Sequence, residues 1–250
     1  MRAPRPARPS PRSPRLLERT YGDRTELWTE TVGEPPAVYG ERWAEVGGRT
    51  LREFDPHRAK LSAALVRGWE GPLPGPGERW LYLGAASGTT ASHVADLVGP
   101  SGRVYAVERS VRPFAQLLGL SERWPNLLPV LTDARDLDSY SDLVPPVDGV
   151  YSDIAQPDQV EILRAAAEAF LWSGRGSILL ALKASSIGRD STPAAHAARA
   201  EESLQGAFDL APTVKLDPFH RAHFLLGGSR GGGPRHRPPA KPRPSRSRGR

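Results

Sequence analysis

The chain has 250 residues, 34 basic and 28 acidic side chains, a formal charge of +6 and no cysteine. A core of useful size fits that length, and the lack of thiols excludes disulfides, zinc–thiolate sites and a cysteine nucleophile. No apolar run approaches membrane-spanning length and the first residues lack the apolar core of a signal peptide, so a soluble, cytoplasmic protein with no membrane partner is expected.

The charge is unevenly divided. Residues 1–15 hold five Arg and no acid, and residues 230–250 hold seven Arg, one Lys and no acid. Without those 13 cations, residues 16–229 carry 21 basic against 28 acidic groups, a net of −7. Both ends are also Pro-rich (MRAPRPARPSPRSPR and GGGPRHRPPAKPRPSRSRGR), a composition unable to bury a core. Residues 1–16 and 229–250 are therefore expected to be disordered tails, serving either as an electrostatic grip on phosphates or only as solubilising ends. Four lysines (Lys60, Lys183, Lys215, Lys241) stand against 30 arginines. A lysine can give up its proton and an arginine cannot, so a retained Lys marks a place where guanidinium would not serve. Lys60 and Lys183 are singled out on that ground, with ordinary surface lysines as the alternative.

Residues 17–54 read as short extended pieces (26–29, 38–41, 50–54) broken by Gly and Pro turns, the hairpins of a small antiparallel unit that packs on the next domain. Asp55-Pro56 opens a helix from His57 to about Trp69, with Leu61, Leu65 and Trp69 at helical spacing. From Trp80 the pattern is βα, repeated. Strand 81–84 precedes helix 89–98, strand 103–108 precedes helix 111–123, and strand 127–131 precedes a short segment after Asp133. Strand 147–152 then leads to helix 158–171, and strand 176–182 to helix 193–206. Pieces 207–216 and 222–227 form a final antiparallel pair around Asp217-Pro218. Such alternation predicts an α/β fold, a doubly wound, mostly parallel sheet over residues 55–228 with its ligands at the carboxyl ends of the strands.

The first strand ends in Gly84-Ala85-Ala86-Ser87-Gly88, with Thr89-Thr90 as capping candidates. Small residues at a strand-to-helix turn let the backbone approach a nucleotide cofactor, and the helix start offers free N–H groups. Strand two ends in Glu108, about 20 residues further on, where a carboxylate can accept both hydroxyls of a ribose. The later strand ends carry Asp133-Ala134, Asp153-Ile154-Ala155-Gln156 and Lys183, and the last strand begins at His223. Each acid alone is as well explained as a cap or turn former; together they make a site. No cluster has metal-ligand spacing.

Over residues 30–228 the chain resembles the fibrillarin family of S-adenosylmethionine-dependent RNA 2′-O-methyltransferases. The stretches that carry the resemblance are VYGERW, FDPHRAKLSAAL, YLGAASGTTASHVADLVGPSGRVYAVE, DAR, SDIAQPDQ, LKASSI and DPFHRAHFLLG. It implies S-adenosyl-L-methionine as cofactor, with Gly84, Ala85, Ser87, Gly88, Thr89 and Thr90 at its methionine end. Glu108 would take the ribose, Arg109, Asp133 and Ala134 the adenine side, and Asp153, Ile154, Ala155 and Gln156 the floor beside the sulfonium. The family's catalytic set falls on Lys60, Asp153, Lys183 and His223, with Lys183 as the base that activates the ribose hydroxyl, Asp153 orienting it, and His223 fixing Lys60 or the ribose. Box C/D guide RNA, a Nop-family scaffold protein and a kink-turn-binding protein are the implied partners, the substrate pre-rRNA or tRNA, and the location cytoplasmic, or nucleolar in a eukaryote.

Two positions depart from the family's pattern: Arg109, where an aromatic is usual, and Ala222, where an acid is usual. The acidic folded part leaves RNA placement to partners, tails or both. Alternatives are methylation of another acceptor (an RNA base or a protein glutamine), which needs no alcohol-activating lysine, and a non-catalytic assembly module. A nicotinamide dehydrogenase ranks last because the turn lacks the glycine spacing of that fold. His93, His57 and Trp172 are more simply helix surface or core.

Overall fold

The computed structural model describes residues 8–21, 24–35, 37–188 and 191–231; of the tails expected at 1–16 and 229–250, residues 1–7 and 232–250 lie outside them. The N-terminal unit is a five-stranded antiparallel sheet of β1 (Arg8–Ser10), β2 (Ser13–Tyr21), β3 (Arg24–Glu30), β4 (Trp43–Val46) and β5 (Arg49–Glu53), in the order β1-β2-β3-β5-β4. Helix α1 (Lys60–Val66) follows, shorter than the 57–69 expected. Asp55 explains the late start: its carboxylate accepts from the His57 N–H, and its carbonyl from Arg58 and Ala59, which makes 56–58 a turn.

The βα repeats then run β6 (Arg79–Leu83), α2 (Thr89–Val98), β7 (Arg103–Glu108), α3 (Val111–Ser121), β8 (Leu127–Leu131), β9 (Gly149–Ser152), α4 (Gln159–Phe170), β10 (Gly176–Lys183) and α5 (Pro193–Leu204). Two short strands, β11 (Asp209–Leu210) and β12 (Val214–Lys215), precede β13 (His223–Arg230). The large sheet is ordered β11-β13-β10-β9-β6-β7-β8, parallel from β10 through β8, with β13 antiparallel to β10 and β12 beside β13. Alternate residues of its strands enter two cores, because successive side chains of a strand point to opposite faces. Trp80 and Tyr82 pack with α1 and α2, and Leu81 and Leu83 with α4 and α5. Among the described residues no helix is long and apolar enough to cross a membrane.

Both tail expectations are corrected at their inner ends. Residues 8–10 and 13–16, counted with the N-terminal tail, are strand, and so are Ser229 and Arg230, counted with the C-terminal one. Leu16 joins the core shared with α1 and α2, while Leu17 on the opposite face packs with Trp28 and Leu51. Two arginines read as part of a phosphate grip are used internally. Arg12 Nη2 donates to the Gly71 carbonyl at 2.5 Å, and Arg15 donates to the carbonyls of Asp96 (2.6 Å) and Glu30 (2.7 Å). The Asp96 carbonyl lies in the last turn of α2, where a cation is favoured. Composition weighs only side-chain types, and these acceptors are backbone atoms distant in sequence.

A buried polar network joins the small sheet to α2. The fully buried Arg52 bonds Glu41 (2.9 Å) and Asp96 (3.0 Å), and its guanidinium lies 4.7 Å from the centre of the Trp124 ring. Asp96 also accepts from Thr29 Oγ1, the Val32 N–H and Trp124 Nε1. His93, left by the sequence as helix surface or core, is core and is held between Thr29 Oγ1 (2.8 Å) and the Tyr39 hydroxyl (2.9 Å). The small sheet is thus continuous with the domain that carries the strand ends.

Candidate functional site

The expected residues gather along the carboxyl edge of the parallel strands. The turn after β6 is tied to β7: the N–H groups of Gly84 and Ala85 both donate to the Val107 carbonyl. Gly84 (φ 78°), Ala86 (φ 48°) and Gly88 (φ 90°) all take left-handed backbone conformations. A Cβ on Gly84 would meet Ile154 Cγ1 at 3.0 Å and the Asp153 carbonyl at 3.1 Å, so that turn lies directly on the Asp153 loop. Gly88, rather than Thr89 or Thr90, is the N-cap of α2, and the cap makes no side-chain hydrogen bond. The nearly buried Glu108 accepts from the Ala86 N–H at 2.9 Å and the Ser110 N–H at 2.7 Å, which fixes its carboxylate beside the turn.

Next to it the departure at Arg109 has a partner. Its guanidinium reaches Asp133 at 3.2 Å, and Arg135 bonds both Asp133 and, in two-pronged fashion, Asp158 (2.7 and 2.8 Å). The Arg135 backbone N–H, then Arg135 and Arg109 charge, hold the Asp133 carboxyl below its ordinary range, against some desolvation. Ala134 is buried, and its carbonyl accepts from the Tyr140 hydroxyl at 3.0 Å.

The expected catalytic residues form two pairs. Lys60, the first residue of α1, sends its ammonium to both Asp153 oxygens, at 2.8 and 3.0 Å. Lys183, the last residue of β10, is in register with His223, the first of β13. The expectation that Asp153 orients Lys183 is corrected here: Asp153 is engaged by Lys60, and among the described residues no hydrogen bond or ion pair holds the Lys183 ammonium. The α1 start approaches Asp153 across the sheet edge, a proximity that strand order alone cannot give. His223 donates from Nδ1 to the Arg221 carbonyl at 2.9 Å, leaving Nε2 as the acceptor nitrogen. Burial, with the nearby charges of Lys60 and Lys183, lowers its pKa, the Arg221 carbonyl and Asp153 opposing.

Three residues of this edge escaped sequence reasoning. Tyr82, buried below Asp153, donates its phenol to the carboxylate at 3.3 Å; burial first and the Asp153 charge second hold that phenol well above its ordinary pKa, so it stays a donor. His220 lies with its ring centre 5.9 Å from that of His223, and burial and the Lys60 charge lower its pKa. Gln159 is fully buried and bonds the backbone of both Gln156 and Lys183. Tyr82 and Gln159 sit inside apolar or helix-start patterns where packing and capping already account for them. His220 carried a signal, three residues before His223 in one turn. Ala222, the other departure, has φ 58°, a conformation unusual for a residue with a Cβ.

Residues 12–231 match the fibrillarin family model. The chain belongs to the fibrillarin family. Among curated relatives, the fibrillarin-like rRNA/tRNA 2′-O-methyltransferase of Aeropyrum pernix is 44% identical over 191 residues, covering 76% of this chain and 81% of that protein. The crystal structure of Aeropyrum pernix fibrillarin with natively bound S-adenosyl-L-methionine superposes with a TM-score of 0.81 at 37% identity, covering 91% of this chain and all of that one. A fibrillarin from a complex with Nop5p superposes with a TM-score of 0.74 at 39% identity, covering 82% and 94%. The fibrillarin match begins at residue 12, inside the stretch the composition had assigned to a tail, in agreement with the strand found there.

Proposed function

We propose that this chain transfers a methyl group from S-adenosyl-L-methionine to ribose 2′-hydroxyls of RNA, in pre-rRNA and tRNA. The observation that carries the reading is the meeting of the Lys60–Asp153 ion pair and the Lys183–His223 pair at the strand edge beside the Gly84 turn, in a chain whose Aeropyrum relative is named for this activity.

The residues present fit the cofactor. The absence of a Cβ at Gly84, the left-handed backbone at Gly84, Ala86 and Gly88 and the anchored Glu108 carboxylate make a cradle at a helix start. Gly84, Ala85, Ser87, Gly88, Thr89 and Thr90 would hold the methionine end, Glu108 the ribose hydroxyls, and Arg109, Asp133 and Ala134 the adenine side. Asp153, Ile154, Ala155 and Gln156 would floor the site. When bound, the cofactor supplies an electrophilic methyl on a sulfonium.

The protein's own part is to hold the acceptor and move one proton. A ribose hydroxyl attacks only when aligned and relieved of its proton. Lys183, as the neutral amine, is our base and takes that proton on Nζ, because it is uncommitted where Lys60 is bound to Asp153. Asp153, fixed by Lys60 and the Tyr82 phenol, presents negative charge to a cationic ligand. Neutral His223, with Nε2 available, accepts a hydrogen bond from the ribose.

The partners belong to the same reading. A solved relative is complexed with Nop5p, and we propose a Nop-family scaffold, a box C/D guide RNA and a kink-turn-binding protein as the particle that brings RNA to an acidic folded domain. In keeping with work on pre-rRNA or tRNA, we propose the cytoplasm as its location, or the nucleolus in a eukaryote. The test is methyl transfer from labelled S-adenosylmethionine to RNA, with guide-particle proteins added, followed by nucleoside mapping. 2′-O-methylribose that disappears in Lys183→Ala supports the reading. Label on a base or on protein, or cofactor binding with no transfer, replaces it with another acceptor or an assembly module.

A further inference from the structure

Strand β9 stops at Ser152, which pairs with Leu180, while β10 continues to Lys183. The last residues of β10 therefore have a neighbour strand only on the β13 side. His223, opposite Lys183, sends its N–H to His220 and takes the Leu216 N–H on its carbonyl, so its backbone faces away from β10. The Lys183 backbone likewise faces away from β13, towards the side where β9 has ended.

The Gln159 amide fills that gap. Its Oε1 accepts from the Lys183 N–H at 2.9 Å, and its Nε2 donates to the Lys183 carbonyl at 3.3 Å and to the Gln156 carbonyl at 2.8 Å. One planar amide thus substitutes for the missing strand and ties β10 to the 153–156 turn. Gln159 is the first residue of α4 and has no exposed surface, so helix and core fix its rotamer.

We infer that Gln159 is a positioning residue for the transfer reaction, coupling the Asp153–Gln156 turn that would floor the cofactor to the backbone that aims Lys183. The inference rests on the proposed role of Lys183. A small rotation of the Lys183 backbone is amplified along its four-carbon side chain, and misplacement of a reacting group by about 1 Å costs on the order of 100-fold in rate. Gln159→Leu keeps the bulk and removes all three bonds. Gln159→Glu keeps the acceptor for the Lys183 N–H but turns carboxylate oxygen towards two carbonyls.

The experiment measures kcat and KM for RNA methylation, and S-adenosylmethionine binding by titration calorimetry, for wild type, Lys183→Ala and both Gln159 variants. Rates are expressed per cofactor-binding site, so unfolded protein is not counted. The expected result is a fall in kcat of about 10- to 100-fold in both variants, with cofactor affinity and KM within about threefold of wild type. A kcat per binding site within about threefold of wild type overturns the inference, as does a loss confined to cofactor affinity. Wild type that methylates no RNA overturns the underlying reading and this inference together, whereas active wild type with unaffected Gln159 variants overturns the inference alone.

Discussion

Replacing Arg52 by Met should be among the most destabilising single changes outside the site. The guanidinium and the carboxylates of Glu41 and Asp96 have no side-chain exposure, and Arg52 reaches them at 2.9 and 3.0 Å. Removing the cation leaves two buried carboxylates without their counter-charge. Breaking a buried ion pair in this way costs about 3–5 kcal/mol. The lower part of that range applies here, because both acids keep neutral donors: Glu41 accepts from the Val38 and Tyr39 N–H groups, and Asp96 from Thr29, Val32 and Trp124. Arg42→Met is the matched control. Arg42 also bonds two acids, Glu53 at 2.6 Å and Glu26 at 2.9 Å, but its side chain is 52% exposed, so about 0–1 kcal/mol is expected. Urea unfolding gives both values. At roughly 2–4 °C per kcal/mol for a chain of this size, the Arg52→Met melting point falls by at least about 6 °C. Adding Glu41→Gln to Arg52→Met should recover part of the loss, since it removes one of the stranded charges. A loss below about 1 kcal/mol, or one equal to that of Arg42→Met, would refute the claim that burial makes this network strong.

Gly88→Ala should lower stability by about 2–4 kcal/mol, because the new Cβ meets Leu120 Cδ2 at 2.6 Å in a left-handed backbone conformation, and thermal melting reads the loss directly. Asp153→Asn strips Lys60 of its partner and should reduce methyl transfer by about 100-fold or more, with kcat falling further than cofactor affinity in steady-state assays. The pH dependence of stability follows from His93, which burial and then the Arg52 charge hold well below the ordinary histidine value. Folded His93 stays neutral while the unfolded chain takes up a proton below about pH 6.5, so its stability contribution is complete above that pH and falls as pH drops, by up to about 1.4 kcal/mol per unit. Urea midpoints at several pH values should show this slope in wild type and a shallower one in His93→Gln; equal slopes would count against the assignment.

How far the sequence reached depended on the range of the interaction. Periodicity and turn residues determined the βα order, and helix α2 at 89–98 and strand β7 at 103–108 emerged with the expected ends, since apolar spacing and small-residue turns act within a few residues. The site's strand-end residues were legible for the same reason: parallel strands joined by crossovers bring their carboxyl ends to one edge, and so Glu108, Asp133, Asp153 and Lys183 could be named before any coordinates. Tertiary structure alone decided who pairs with whom. Lys60 rather than Lys183 holds Asp153, Arg109 leans on Asp133, and Gln159 completes the edge of β10. It also decided that the Arg- and Pro-rich stretch from Arg8 is sheet. Arg12 and Arg15 there are bonded to carbonyls of Gly71, Asp96 and Glu30, and a backbone acceptor 59 or 81 residues away leaves no trace in composition.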